Sequence, residues 1–322
     1  MKMRTLYGIG GLLWLAPICV VAQPAAVQVL PRPDQHKVVV LVDDQPFTTY
    51  WFPDTLEKPI LYPIHAASGS VVTRGFPIAP RPGEPTDHPH QVGMWFTYES
   101  VNGLDFWNNS YAIPQEKKSH YGWIKQRRIV RTESGAAGLL EVAADWENQQ
   151  GKVLLHESTT FTFSGKAHLR VIDRVTTLTA AVPVTFKDVK DGLLGIRVAK
   201  DLQLPHADYL TSAGKTGDRA WATRARWCML YGTLNGAMTS IVIFDHPDNP
   251  GYPTYWHARG YGLFAANPLG AAVFSEGQEQ THLQLKPGES VTFRYRIRIG
   301  DGEEPQPATL DEEADRFAKE KA

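Results

Sequence analysis

The 322 residues carry 33 Lys and Arg against 34 Asp and Glu, a formal net charge of −1, so bulk charge attracts neither nucleic acid nor an anionic membrane surface. No basic tract or RNA-binding motif supplies locally what the whole chain lacks, which makes nucleic acid a poor partner. The two cysteines, Cys19 and Cys228, are too few for a disulfide framework.

The chain opens with a short basic start, Met1-Lys2-Met3-Arg4, and an apolar run from Thr5 to Ala22. Gly and Pro interrupt that run, and it is too short for a stable membrane span. Residues 1–22 therefore read as a secretory signal peptide cut before Gln23, and the mature chain is expected in the periplasm or outside the cell. An uncleaved anchor and lipidation at Cys19 are the weaker alternatives. Cleavage would leave Cys228 alone, in the apolar run "RWCMLYG", where a buried inert thiol is expected. Stability must then come from a hydrophobic core, which about 300 residues can build.

Period-two alternation dominates the rest. "HKVVVLV" (36–42), "LLEVAADW" (139–146), "KVLLHESTTFTF" (152–163), "HLRVIDRVTTLT" (168–179), "GLLGIRVA" (192–199) and "MTSIVIFD" (238–245) read as strands separated by Gly- and Pro-containing turns. In "VTFRYRIRI" (291–299), Val291, Phe293, Tyr295, Ile297 and Ile299 share the core face, while the arginines meet water or a polar groove. "ATLDEEADRFAKEKA" predicts the one helix, at about 309–320, with Thr309 as N-cap and Glu312 completing a capping box. No composition break divides residues 23–322, so the expectation is one all-β domain, a large antiparallel β-sandwich with a short C-terminal helix.

Two stretches carry chemistry. In "TDHPHQVGMWF" (86–96), Pro89 disfavours the helical region for His88, predicting an extended backbone with His88 and His90 on one side and Asp87 on the other. Such a pair can serve as base and partner, or supply two metal ligands, but spacing alone equally fits a capped loop. Trp95 and Trp107 follow, with Asp105, Asn108 and Asn109 beside them, a combination that suits a sugar stacked on an indole. Downstream, "IFDHPDNPGYPTYWHARGYG" (243–262) offers Asp245, His246 and Asn249, then a strand with Tyr255, His257 and Arg259 on one face and Trp256 on the other. A phenol, an imidazole and a guanidinium together make a wall for an anionic or polyhydroxylated ligand. Arg74 in "VVTRGFP" and Lys190-Asp191 in "VKDGLLGIR" are further charges beside apolar strands.

With "KPILYPIHAASGSVVTRGFP", "VNGLDFW" and "LKPGESVTFRYRI", these stretches occur in an order that resembles the PmoA-like family of exported bacterial proteins, also treated as a domain of unknown function. The family label refers to methane oxygenase, an activity for which this sequence offers neither membrane spans nor a copper-ligand pattern. The resemblance implies Asp-His-x-His-His-x-Gly-x-Trp for the first motif. Asp87, His88 and His90 match it, and Gln91 stands where a third histidine is usual. By analogy it also implies a supersandwich of the galactose-mutarotase type, used mostly on carbohydrates.

The leading expectation is an exported carbohydrate-active enzyme of epimerase, lyase or hydrolase type. His88 or His90 would work with His246 or His257 as acid and base, Asp87 would orient an imidazole, and Arg74, Trp95, Asp105, Trp107, Asn249, Tyr255 and Arg259 would bind substrate. Hydrolysis needs two carboxylates, and Asp87, Asp105, Asp245 and Glu276 are available without a spacing that singles out a pair. A divalent metal on His88, His90 and His246 is a minor variant, and no cofactor is demanded. The competing expectation is a non-catalytic module that binds a glycan or a partner protein.

Overall fold

In the computed structural model, which describes residues 27–320, the period-two stretches are strands. The leader expected at 1–22, with its cut before Gln23, lies outside the described residues. In chain order come β1 (Val27–Arg32), β2 (Lys37–Val42), β3 (Gln45–Trp51), β4 (Ile60–Ile64) and β5 (Met94–Tyr98). Four long strands follow, β6 (Trp123–Glu133), β7 (Gly138–Glu147), β8 (Val153–Lys166) and β9 (Leu169–Ala180). Next are β10 (Val184–Thr185), β11 (Gly192–Arg197), β12 (Ala207–Thr211), β13 (Trp227–Leu234) and β14 (Ala237–Asp245). The last are β15 (Tyr255–Arg259), β16 (Leu263–Asn267), helix α1 (Ala271–Phe274), β17 (Gln284–Leu285), β18 (Ser290–Asp301) and helix α2 (Pro307–Phe317).

Two antiparallel sheets of eight strands form the expected sandwich. One runs β1-β2-β3-β4-β5-β11-β16-β15, the other β12-β13-β14-β18-β9-β8-β7-β6, and β10 pairs with β17 apart from both. Alternation sends Val38, Val40, Phe96, Leu194, Ile196 and Phe264 of the first sheet into one core with Phe161, Ile172, Phe293, Tyr295 and Ile297 of the second. Within that core Arg174 pairs with Glu157 at 2.9 Å, and Trp146 Nε1 donates to the same carboxylate at 2.8 Å. The Arg174 guanidinium also lies over Phe96 and Phe161, so the buried charges are well surrounded. Cys228 is buried in the same core, and burial raises its thiol far above the ordinary range, as its apolar surroundings predict.

Three local expectations need correction. Helix α2 begins at Pro307 with Gln306 as an N-cap that makes no side-chain bond, so Thr309 lies inside the helix and forms no capping box. Proline's fixed φ is ready-made for the first helical position, and that preference overrides the Thr309 signal. Helix α1 and four 3-10 turns also exist outside the C-terminus. The arginine face of β18 is no open groove: α2 packs Leu310, Ala314 and Phe317 against Trp227, Val242 and Phe244 beside it. Arg296 there binds Asp173 and Glu320, and Arg298 faces Glu313 at 3.5 Å.

The outer face of the first sheet positions the site. Opposite the core residues of β5, β11, β16 and β15 stand Trp95, Gly195, Arg197, Ala265, His257 and Arg259, in register across the sheet. A Cβ on Gly195 would come within 2.7 Å of the Trp95 ring and 2.9 Å of Trp107. Absence of a side chain there lets both indoles lie down on the sheet.

Candidate active site

The chain between β4 and β5 crosses this outer face, and Arg74 fastens it. Its buried guanidinium donates to the carbonyls of Asp87 (2.8 Å), Gln91 (2.9 Å), His88 (3.0 Å) and Pro85 (3.3 Å), and to Asp87 Oδ1 (2.9 Å). Arg197, equally buried, reaches the same Oδ1 at 2.8 Å and Gln91 Oε1 at 2.5 Å. One carboxylate thus joins two guanidiniums from separate parts of the fold. Burial opposes ionisation of Asp87, but the hydrogen bond from His88 and the charges of Arg197, His88 and Arg74 outweigh it, so its carboxyl lies below the usual range. Burial lowers Arg74 to about 10, which still leaves it charged at neutral pH.

The other oxygen of Asp87 meets His88 Nδ1 at 2.5 Å. His88 stacks flat on Tyr261, centroids 5.2 Å apart and planes 4° from parallel, and lies 5.6 Å from the His90 ring. The expected extended backbone is not found: His88 has φ +45°, in a turn closed by Gln91 N–H bonding to His88 O. The five Arg74 bonds, three of them to the carbonyls of Asp87, His88 and Gln91, hold the left-handed turn in place. The turn also brings Asp87 to His88, where a strand would have separated them.

Beside these groups lies a cavity of about 290 Å³. His88, His90 and Gln91 form one wall, Trp107 and Asn108 a second, and Lys190, Asp191, His257, Arg259 and Tyr261 the rest. Trp107 is delivered by a turn that Asp105 caps, accepting from the backbone N–H of Trp107 (2.9 Å) and Asn108 (2.8 Å). Lys58, itself buried and lowered by that burial to about 8, donates to Trp107 O at 3.0 Å from behind. Asn267 holds the opposite wall, its Nδ2 donating to the carbonyls of Val189 and Lys190.

The imidazoles differ in state. His257 Nδ1 faces two oxygens, Lys190 O at 3.1 Å and Asp191 Oδ1 at 3.5 Å, which places its proton on Nδ1 and its lone pair on Nε2. Burial, then the charges of Arg259 and Lys190, lower its pKa to about 3. Burial lowers His90 to about 2, with Lys58, His88, Arg74 and Arg197 adding to it. Both rings are neutral at any ordinary pH. Burial moves Asp191 the other way, raising its carboxyl toward the protonated form.

The structure therefore brings together His88, His90, His257, Trp107 and Arg259 in one cavity, with Asp87 behind His88. Other expected site residues lie elsewhere. His246 directly follows β14 of the second sheet and packs edge-on against Phe317 of α2, centroids 5.0 Å apart. It cannot complete a metal set with His88 and His90, and among the described residues no group of three or more His, Cys, Asp or Glu is arranged to hold a metal ion. Asn249 is structural, tying Asp245 to β18 through Arg294. Tyr255 stacks on Phe274 outside the cavity. Arg74 and Asp105 position the loops and do not line the space. Trp95 is fully buried beneath Trp107, 5.1 Å between centroids. Asn109 is buried too, bonded to Gly122 O and Lys118.

Four site residues escaped the sequence reading: Arg197, Tyr261, Lys58 and Asn267. Arg197 had a usable signal, as the one charge in "GLLGIR" and on the opposite parity to Leu194 and Ile196. Tyr261 sits between two glycines in the β15–β16 turn. Gln91 also finds its place. Its carbonyl oxygen takes a hydrogen from Arg197, and its side chain also bonds the Tyr261 hydroxyl, so it belongs to the clasp that shapes the loop.

Residues 37–315 match the model of a family described as a family of unknown function, DUF6807. No curated protein matches the chain. Several solved structures are similar to this chain at very low identity and with TM-scores below 0.5. A galactose mutarotase-like protein from Clostridium acetobutylicum is 12% identical, with TM-score 0.42, covering 85% of this chain and 98% of that one. A putative aldose 1-epimerase from Escherichia coli K12 is 12% identical, with TM-score 0.38 and coverage of 85% and 99%. A GH36 alpha-galactosidase from Geobacillus stearothermophilus is 11% identical, with TM-score 0.42 and coverage of 86% and 41%. The chain spans about two fifths of the galactosidases' length.

The neutral imidazoles make a pH prediction. Unfolded, His257 takes a proton near pH 6.5, while folded it stays neutral down to about 3, so its burial costs stability as pH falls through that window. Asp245, raised by burial to about 7, works with the opposite sign, so the comparison must be between variant and parent. Replacing His257 by Gln should destabilise the protein at pH 7, and that deficit should shrink below pH 6.5 by up to about 1.4 kcal/mol per pH unit. Urea titrations at pH 7, 6 and 5 measure it, and a constant deficit would contradict the buried neutral ring.

Proposed function

We propose that this chain, which belongs to the DUF6807 family of unknown function, is a carbohydrate enzyme that moves a proton on a monosaccharide-sized substrate, as an epimerase or lyase does. The observation that carries this reading is the Asp87–His88 pair. Asp87 Oδ2, 2.5 Å from His88 Nδ1, accepts the Nδ1 proton and leaves the Nε2 lone pair free for the cavity, the arrangement of an oriented general base. Two buried arginines keep Asp87 ionised and still, and Tyr261 fixes the plane of the ring.

Asp191 lines the same cavity, and burial raises its carboxyl, so it can take a proton from solvent during turnover and pass it on. His88 Nε2 takes a proton from carbon beside a carbonyl, and the electron pair moves onto the carbonyl oxygen. A proton returned from Asp191 on the other face gives an epimer, and expulsion of a substituent from the next carbon gives an unsaturated product. Neutral His90 and His257, with Asn108, offer hydroxyl partners, and the Trp107 indole is a stacking surface. The two-carboxylate route to hydrolysis is less well supported. Asp191 is the one carboxylate among the described cavity-lining residues, while Asp87 is engaged with His88 and both arginines.

Incubating the protein with a panel of monosaccharides and sugar acids in D2O, followed by proton NMR, tests the reading. Deuterium should enter beside the carbonyl or carboxyl carbon of one class, and His88→Gln should lower that rate by about 100-fold or more while ligand-induced thermal stabilisation survives. Binding with no exchange by the wild type would favour a glycan-binding module, and equal rates for the variant would remove His88 from the chemistry. Export through the leader at residues 1–22 is part of the same proposal. N-terminal sequencing of protein from a secreting host should begin at Gln23, and an intact Met1 would contradict it.

A further inference from the structure

The charges around the cavity do not balance. At the clasp, Arg74 and Arg197 share the single carboxylate of Asp87, leaving one positive charge in excess. At the mouth, Lys190 and Arg259 face the single carboxylate of Asp191, with Lys190 Nζ 3.9 Å from it, leaving a second. Lys58, a buried ammonium behind Trp107, is met by Glu57 and Asp105 and adds nothing to that excess. Of the three imidazoles that face this space, the buried His90 and His257 stay neutral and add nothing to it. Arg259 is exposed, and its guanidinium lies 5.5 Å from the centre of the Trp221 ring; among the described residues it makes no ion pair within 4 Å and no side-chain hydrogen bond, and Asp191 acts on it only from farther off. An unpaired guanidinium at the rim of a polar cavity is a receptor for an anion that arrives with the ligand.

We propose that the ligand is an acidic sugar, and that Arg259 with Lys190 holds its carboxylate at the mouth while the ring lies between Trp107 and His88. This rests on the carbohydrate reading above and narrows it to a class. A monoanion fits better than a phosphate. Lys190, Arg259 and Asp191 together leave one positive charge, which one carboxylate neutralises, whereas a dianion would meet Asp191 uncompensated. The guanidinium fork also matches a carboxylate in plane, so Lys should replace it only in part.

Isothermal titration at low ionic strength with D-glucuronate, D-galacturonate, D-glucose, D-galactose and D-glucose 6-phosphate tests this. A uronate should bind at least about 10-fold more tightly than its neutral counterpart and lose that margin as NaCl is raised. Arg259→Gln should bring the uronate down to the neutral sugar's affinity, and Arg259→Lys should keep part of the margin. Arg259 is exposed, so a matching melting temperature will confirm that the variants are folded. Equal affinity for acidic and neutral sugars overturns the inference but leaves the carbohydrate reading standing, as does a margin that survives Arg259→Gln. Tighter binding of the phosphate overturns the carboxylate assignment. If no sugar binds the wild type, the inference and the carbohydrate reading fall together.

Discussion

One carboxylate organises the candidate site. Asp87 accepts from Arg74, Arg197 and His88 at once, so a single side chain ties an irregular loop to a sheet and aims an imidazole. Without it, two buried guanidiniums would face each other with no counter-ion, an arrangement costing several kcal/mol. The left-handed turn at His88 depends on the same bonds, because the loop has no regular structure to hold it. Gly195 below and Asn267 to the side complete the frame, one by leaving space and the other by capping free carbonyls.

The same charges that build the clasp set the chemistry of the neighbouring groups. Each imidazole that enters the cavity deep enough to lose water also meets cations, so desolvation and repulsion act in one direction and keep His90 and His257 neutral. Such rings accept and donate hydrogen bonds but are too weakly basic to shuttle protons near pH 7. His88 is placed differently: its side chain remains partly exposed, and its Nδ1 meets the Asp87 carboxylate. Three histidines in one cavity therefore divide by depth into two buried neutral hydrogen-bonding partners and one partly exposed ring, which the proposed function makes the base.

Much of this was legible in the residues, and the failures have definite causes. Period-two strands were readable because each has one face in the shared core, as β9 shows along its full length and β18 shows from Phe293 to Ile299. The β15 face with His257 and Arg259 followed from parity. His246 looked equivalent to His257 because only ten residues separate them, yet β14 belongs to the second sheet and β15 to the first. The loop between them crosses the sandwich, and nothing in its Pro-rich composition announces that. Lys58 carried no signal, since its burial is created by a turn some fifty residues later folding over it. The role of Gln91 was hidden for a similar reason: Arg197, its partner, lies 106 residues away.

Central to the account is that Asp87 fixes the proton of His88 on Nδ1 and leaves Nε2 open to the cavity. Nitrogen-15 NMR of histidine-labelled protein, at a pH where the ring is neutral, observes that proton directly. The account predicts the Nδ1–H form for His88 in the wild type and a shift toward a mixture of the two forms in Asp87→Asn. A wild-type His88 protonated on Nε2, or a proton position indifferent to the Asp87 substitution, would contradict it.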